Sequence, residues 1–147
     1  MTDLERAVAC LREENHTCVL CRGECFYTSD AKGIAPMMAL LDAKTALGGF
    51  SAADRVVGRA AAFLFVLAGV SAVYAEVISQ GAIEVLAAHG IRTEYGRLTD
   101  RIINRTGDGF CPMETAVLEI EDPNKALTVL RRRSMELSAE KAKEKES

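Results

Sequence analysis

The sequence lacks the features that would mark a membrane protein or a secreted one. Its 147 residues include no Trp, only 3 Pro and 2 His, and no unbroken apolar run of membrane-spanning length. The longest near-apolar stretch lies between Arg59 and Glu76, is interrupted by Ser71, and falls short of the roughly 20 residues that a spanning helix needs. The opening segment, MTDLERAVACLREEN, is charged throughout and does not resemble a secretory signal. We therefore expect a cytoplasmic protein with no membrane contact.

The chain also lacks an excess of positive charge. It carries 18 Lys and Arg against 21 Asp and Glu, a formal net charge of -3. Nucleic-acid surfaces depend on clustered basic residues. The basic cluster from Arg131 to Arg133 lies in a segment that mixes acidic and basic residues, which is typical of a solvated helix face. We therefore expect no nucleic-acid partner.

The cysteines do not form a disulfide pattern. There are 5 of them, an odd number, in a chain long enough to bury a core without covalent staples. Four residues invite a zinc interpretation: His16, Cys18, Cys21 and Cys25. A hairpin turning at residues 22–23 would place Cys18 and Cys25 on one face and Cys21 on the other, and tetrahedral ligands cannot converge from both faces. We therefore predict no metal site and no cofactor.

Periodicity and turn signals predict an α/β domain with a mixed sheet. The expected order is a helix over Asp3–Glu14, a hairpin over residues 17–29, a helix from Pro36 to Gly48-Gly49, a helix from Ser51 to Gly69, a strand over Val70–Ile78, a helix from Ser79 to Gly90, strands over Arg92–Tyr95 and Arg101–Asn104, and helices from Cys111 and Asp122. Residues 1–147 are expected to form a single domain. The charged segment 138–147 is expected to fray.

The stretch from Ser51 to Gln80 organises this prediction. Ser51 is an expected N-cap, with Asp54 in a capping-box-like position, and the helix becomes apolar all round past Arg59. The strand that follows lacks polar alternation, which is typical of a central strand covered on both faces. Because the polar residues of this stretch lie at its ends, we expect a site there.

Two further groups carry potential chemistry. The segment NRTGDGFCPME places Cys111 at a helix N-cap, Pro112 in the first turn and Glu114 close behind, after a Gly-rich loop. Asn104 and Asp108 add polar groups to that loop. A reactive thiol, a ligand cradle and a structural turn all stay open.

Glu76 interrupts a buried strand, and a carboxylate there needs a partner or an altered pKa. Arg55 and Arg59, expected one helical turn apart, can pair with it, hold an anionic ligand, or lie at the surface.

Three stretches together resemble a known family: TCVLCRGECFYTSDAKGIAPMMALL, ADRVVGRAAAFLFVLAGVSAVYAEVIS and NRTGDGFCPMETAV. They resemble a small prokaryotic domain-of-unknown-function family, number 1893, whose fold is similar to that of cytidine deaminases. The likeness covers about Leu4 to Leu130. It implies a three-layer α/β/α sandwich with a mixed central sheet.

The sequence departs from zinc deaminases at their catalytic motifs. Those enzymes begin one core helix with H-A-E or C-A-E and the next with P-C-x-x-C, and their zinc activates water. In the helices expected here the starts are S-A-A-D-R and S-Q-G-A-I, so the zinc ligands are missing and Asp54 and Ser79 lie nearest to the equivalent positions. The likeness implies a ligand crevice between those two helix N-termini.

Three hypotheses follow. The first is a metal-free domain that binds a small ligand, such as a nucleotide-like molecule, through Asp54, Arg55, Ser79, Asn104 and Asp108. Glu76 of the core and Cys111 and Glu114 of the loop segment complete the expected pocket. The second is a thiol enzyme with Cys111 as nucleophile and Glu76 or Glu114 moving protons. The third is a redox-responsive or protein-interaction module that uses Cys18, Cys21 and Cys25 together with Cys111. Exposed sheet edges make a homodimer plausible.

Overall fold

Five strands form one mixed sheet in the computed structural model, which describes residues 1–102 and 111–146. They are β1 (Cys18–Arg22), β2 (Cys25–Ser29), β3 (Ser51–Val57), β4 (Ala72–Ser79) and β5 (Arg92–Thr99). The order across the sheet is β2-β1-β3-β4-β5. β1 runs antiparallel to both of its neighbours, whereas β3, β4 and β5 are parallel. The expectation of an α/β fold with a mixed sheet is confirmed.

Helices cover both faces of this sheet. They are α1 (Asp3–Glu13), α2 (Ala35–Asp42), α3 (Arg59–Ala68), α4 (Gln80–Ala88), α5 (Pro112–Ala116) and α6 (Pro123–Glu146). α3 and α4 connect successive parallel strands that advance in one direction across the sheet, and right-handed crossovers then place both helices on the same face. α1 packs against the opposite face, where Leu11 and Ala7 contact Val19 and Ala53. No helix in the described ranges is long and apolar enough to cross a membrane.

The larger core lies between the sheet and α3. Phe63, Leu64 and Phe65 are completely buried there, together with Leu20 and Val73 of the sheet. α3 is therefore buried around most of its circumference, as its apolar sequence predicts. This packing fixes the position of its amino-terminal end, which borders the site described below.

The prediction of a helix beginning at Ser51 is wrong, because residues Ser51–Val57 form the central strand β3. This strand pairs with β1 on one side and β4 on the other, and residues 51–54 are all buried. Ala-rich segments favour helices in isolation, but hydrogen bonds to two neighbouring strands and burial on both faces decide the outcome here. The helix starts only at Arg59, after Gly58.

The hairpin turns one residue later than expected, with Arg22 opposite Cys25 and Cys21 opposite Phe26. Relative to the expected pairing, each partner on β2 moves by two residues. Because side chains alternate along a strand with a period of two, such a shift leaves every side chain on its predicted face. Cys18 and Cys25 therefore share one face, and Cys21 lies on the other.

Other element boundaries differ less. α1 covers its predicted range to within one residue, and the Oγ of Ser79 accepts the Ala82 N–H at 3.1 Å as the expected N-cap of α4. α2 ends at Asp42, well before Gly48. α6 extends to Glu146 and includes most of the charged segment 138–147, whose fraying stays a prediction. A strand is expected over Arg101–Asn104, but Arg101 and Ile102 do not lie in a strand. Residues 103 and 104 lie outside the described ranges.

Candidate functional site

A cavity of about 290 Å³ lies where β3 ends and α3 begins. Its walls come from residues 31–34, residues 54–56, Gly58, the first turn of α3 and the start of α5. Most of this lining is apolar, with Ile34, Ile102 and Met113 among its side chains. The carboxyl ends of parallel strands are where α/β sheets usually bind ligands, so this cavity is the candidate site.

Asp54 is the buried acid of this cavity. It is 7% exposed and lies in β3, opposite Cys18 of β1. Burial raises its pKa to about 8, and this effect is only partly offset by hydrogen bonds from the backbone N–H groups of Val56 and Arg55. At neutral pH the side chain is therefore mainly a carboxylic acid, which offers an O–H donor and a C=O acceptor to a neighbour in the cavity.

Glu114 provides a second buried carboxyl group from α5. Its Oε2 accepts the backbone N–H of Ala60 at 2.8 Å, and burial raises its pKa despite this bond. Gly58 occupies the N-cap position of α3 and has no side chain to fill that role. The Glu114 carboxyl group takes the place of an N-cap side chain. It lies so near Gly58 that a Cβ on that residue would be 1.4 Å from the Glu114 Oε1.

Arg59 makes the reciprocal connection from α3 to the end of α5. Its Nε donates to the Val117 carbonyl at 2.9 Å, and its Nη2 donates to the Ile120 carbonyl. The guanidinium also lies over the Phe63 ring, 5.0 Å from the ring centre. Arg59 and Glu114 together fasten α5 to α3, so this wall of the cavity is well fixed.

Cys111 lies on the cavity wall as the N-cap residue of α5. The prediction of a helix start at this residue, with Pro112 and Glu114 in the first turn, is confirmed. Its backbone N–H donates to the Ile102 carbonyl at 3.2 Å. Because α5 has only five residues, its helix dipole is weak. Of the two proton carriers proposed from the sequence, Glu114 lines the same cavity as Cys111 and Glu76 does not.

Arg55 and Glu76 form the ion pair that was one of the options from the sequence, with Arg55 Nη1 2.5 Å from Glu76 Oε1. The pair joins β3 to β4 and does not lie on a helix, so the expected stripe of Arg55 and Arg59 does not exist. Arg55 also donates to the carbonyls of Leu11 at 2.7 Å and His16 at 2.9 Å. Its guanidinium and the Glu76 carboxylate therefore lie on the α1 face of the sheet, away from Glu114.

The remaining predicted site residues are placed as follows. Ser79 borders a separate cleft of about 100 Å³ that Glu114 and Arg59 also line, and its hydroxyl oxygen is engaged as the cap of α4. Asn104 and Asp108 lie outside the described residues.

Sequence reasoning missed Gly58, which it placed inside a helix. A glycine within an otherwise apolar run was the available signal for a break at this point.

The buried thiols of β1 bear on the redox hypothesis. Burial raises the pKa of Cys18 well above its usual value, and burial also raises the pKa of Cys21. Because the thiolate is the species that exchanges with disulfides, both residues are poor redox groups. Their position in a core strand fits packing instead.

Comparison with known proteins places the chain in a family. A crystal structure of a DUF1893 family protein from Thermotoga maritima is similar over 90% of this chain and 91% of that one, with 24% sequence identity and a TM-score of 0.83. At this identity the match shows a shared fold. No curated protein matches the chain. Residues 6–133 match the family described as "Domain of unknown function (DUF1893)". The chain therefore belongs to the DUF1893 family.

Proposed function

We propose that this protein binds a small, neutral heterocyclic molecule, such as a nucleobase or nucleoside, in the cavity between β3 and α3. The observation that carries the proposal is Asp54, a buried carboxyl group with its pKa raised to about 8 on the wall of a mostly apolar cavity. A site of this kind suits a ligand that is flat and apolar on its faces and polar along one edge.

The protonation state of Asp54 favours that edge chemistry. A protonated carboxyl group presents a donor and an acceptor side by side. The amide-like or amidine-like edge of a nucleobase presents the complementary pair. Two hydrogen bonds can therefore form without burying a charge, which would be costly in such a cavity.

Charge and size argue against a phosphate as the recognised group. The N–H of Ala60 at the start of α3 is already bound to Glu114, so this helix end is not open to an anion. An anion would also face two carboxyl groups, those of Asp54 and Glu114. A cavity of about 290 Å³ is at the small end of ligand sites, which are commonly about 300–1,000 Å³. The sequence leads us to expect a nucleotide-like ligand, and we propose that the cavity recognises only its uncharged base or nucleoside, without the phosphate.

We also propose that the fold is a three-layer α/β/α sandwich of the cytidine deaminase-like kind. Support comes from the mixed five-stranded sheet and from the helices on both of its faces. The starts of the helices bordering the sheet read GIAPMM for α2, VGRAAA for α3 and SQGAIE for α4. None of them supplies a Cys or a His, so deamination through a zinc-bound water has no ligand set there.

The test is a binding screen with matched neutral and anionic probes. Cytosine, uracil, cytidine, uridine and adenosine would be compared with the corresponding 5′-monophosphates by thermal shift and calorimetry. We expect at least one neutral probe to raise the melting temperature more than its monophosphate does. Asp54→Ala should abolish that shift, while Asp42→Ala, at an exposed position, should leave it unchanged. Equal binding by Asp54→Ala, or no shift with any probe, would contradict the proposal.

A thiol enzyme that depends on Cys111 is the second candidate, because Cys111 and Glu114 line the same cavity. This function requires a nucleophilic thiol. Iodoacetamide should then alkylate Cys111 faster than free cysteine at neutral pH, and Glu114→Gln should slow that reaction. Cys25, which is exposed on the hairpin, is the internal reference in the same mass-spectrometric experiment. A Cys111 rate no higher than that of Cys25 would exclude this alternative.

A further inference from the structure

A second cluster of polar side chains lies at the carboxyl end of α1, apart from the cavity. Cys10, Glu14 and His16 each offer one ligand atom, and all of these atoms lie within 4.8 Å of one another. The Cys10 Sγ is 2.9 Å from the Glu14 Oε2, and that oxygen is 3.6 Å from the His16 Nε2. A thiol, a carboxylate and an imidazole therefore meet at one place.

The backbone brings these three residues together. Cys10 and Glu14 are four residues apart at the end of α1, so they lie on the same side of the helix. Asn15 then adopts a left-handed conformation with φ of 57°, which reverses the chain. As a result, the His16 N–H donates to the Leu11 carbonyl at 3.1 Å, and its ring returns over the last helical turn.

Contacts from Asp30 and Arg55 orient the histidine. The Asp30 Oδ1 is 2.8 Å from the His16 Nδ1, which leaves Nε2 as the nitrogen facing Glu14. Arg55 holds the same turn from β3, since its Nε donates to the His16 carbonyl at 2.9 Å and its Nη2 contacts the Asn15 Oδ1 at 3.4 Å. A carboxylate that fixes the outer nitrogen of an imidazole is the usual support of a histidine metal ligand.

We propose that Cys10 Sγ, Glu14 Oε2 and His16 Nε2 bind one Zn²⁺ ion. Metal–ligand bonds of roughly 2.0–2.3 Å in a tetrahedron separate the ligand atoms by roughly 3.3–3.8 Å. The Cys10–Glu14 and Glu14–His16 distances of 2.9 and 3.6 Å lie within a few tenths of an ångström of that range. A set of one sulfur, one nitrogen and one oxygen favours zinc over Mg²⁺ or Ca²⁺, which prefer oxygen ligands.

Binding has a defined proton balance and leaves one position open. The Cys10 thiol loses its proton to solvent as the Zn–S bond forms. Three protein ligands leave the fourth position to water, a small anion or a partner side chain. Cys10 and Glu14 also border an open groove with Phe26 and Thr28, so solvent can reach the ion. This site is independent of the proposed ligand cavity, which lies at the start of α3 on the other face of the sheet.

The experiment uses reduced, metal-free full-length protein. Zn²⁺ stoichiometry would be measured by equilibrium dialysis with elemental analysis, and Co²⁺ would be added as a spectroscopic substitute. We expect one Zn²⁺ per chain and a Co²⁺ spectrum with thiolate-to-metal charge-transfer bands and tetrahedral d–d bands. Cys10→Ser should remove the charge-transfer bands, and Asp30→Asn should weaken Zn²⁺ binding by about 10–100-fold.

Matched variants separate this site from other thiols. Cys25→Ser changes an exposed cysteine of the neighbouring hairpin and should leave stoichiometry and spectrum unchanged. Glu14→Gln changes a side chain that is 65% exposed, so it should fold normally and still lose affinity. Absence of stoichiometric zinc would overturn the proposal. So would wild-type affinity in both Cys10→Ser and Glu14→Gln.

Discussion

Asp54 lies in the middle of a strand whose neighbours exclude water from its carboxyl group. The sequence identified this residue as a site candidate, but as part of a helix cap. Its real environment depends on pairing with β1 and β4, which are more than 15 residues away in sequence and leave no local signal. The residue type alone therefore makes Asp54 a site candidate. Its protonation state depends on the strands that surround it in the folded protein and cannot be predicted from the sequence.

Protonation of Asp54 has a consequence for stability. In the unfolded chain an Asp has its ordinary pKa near 3.8, while in the folded protein the pKa is about 8. The folded state therefore holds one more proton between these values, so the stability linked to Asp54 is fully present below about pH 4 and is lost as the pH rises through 8. The raised pKa of Glu114 acts in the same direction.

We predict that Asp54→Asn flattens this dependence. The amide stays neutral at every pH, so the variant should gain stability relative to wild type as the pH rises from 5 to 8, by an amount on the order of a few kcal/mol. Urea unfolding at several pH values would measure the difference, with Glu24→Gln in the exposed hairpin turn as the control. A constant difference between Asp54→Asn and wild type over this range would show that Asp54 titrates normally.

The Cys10, Glu14 and His16 cluster shows a second limit at the residue scale. The sequence contains the spacing Cys-x-x-x-Glu-x-His, but His16 also lies next to the cysteines of β1 in sequence, which form the more obvious zinc pattern. Cys10 and Glu14 join it only because the left-handed Asn15 reverses the chain after α1. Asparagine is one of the few residues that adopts this conformation readily, so the turn itself was a usable signal.

At the level of elements, β3 and α3 illustrate why buried segments are hard to assign. A strand covered on both faces lacks alternation, and SAADRVV consists largely of residues that also suit a buried helix. In contrast, α1 and α4 were predicted well because an amphipathic face or a serine cap is local information. Gly58 separates the two elements and makes room for Glu114.

We predict that Gly58→Ala displaces Glu114 from the start of α3. The added methyl group overlaps the Glu114 carboxyl, so the variant loses both good packing and the cap, at a cost of about 2–4 kcal/mol in the free energy of unfolding. In a Glu114→Ala background the same change should cost less, because the overlap with Glu114 is gone and only a side-chain contact with the Ile102 Cγ1 at 2.8 Å stays close. A double-mutant cycle would measure the difference.

The matched control is Gly48→Ala. A Cβ at Gly48 meets nothing within 4 Å, so this variant should stay within about 0.5 kcal/mol of wild type. If Gly58→Ala were as mild as Gly48→Ala, or equally costly with and without Glu114, the proposed capping contact would be wrong.

For the molecule as a whole, the two sheet edges differ in their protection. β5 carries Arg92, Glu94 and Arg97, charges that discourage pairing with another strand. β2 reads CFYTS, has no charged residue, and exposes 41% of Phe26. We propose β2 as the edge through which two copies of the chain would pair.

We predict that sedimentation velocity at increasing concentration detects a dimer. Phe26→Lys should shift the protein to monomer, because it places a charge on the β2 edge. Tyr95→Lys, on β5, changes a side chain of similar size and 47% exposure and should leave the dimer intact. A wild-type protein that is monomeric at all concentrations, or equal effects of the two variants, would refute this assignment.

The central claim is that the cavity at the end of β3 recognises a neutral ligand through Asp54. Its most direct test is a titration of 15N-labelled protein with the neutral probe that gives the largest thermal shift, followed by amide chemical shifts. We predict saturable shifts at Asp54, Gly58 and Ala60, absent in Asp54→Ala, and none at Cys10 or His16. Shifts confined to another surface, or unchanged in Asp54→Ala, would contradict the account.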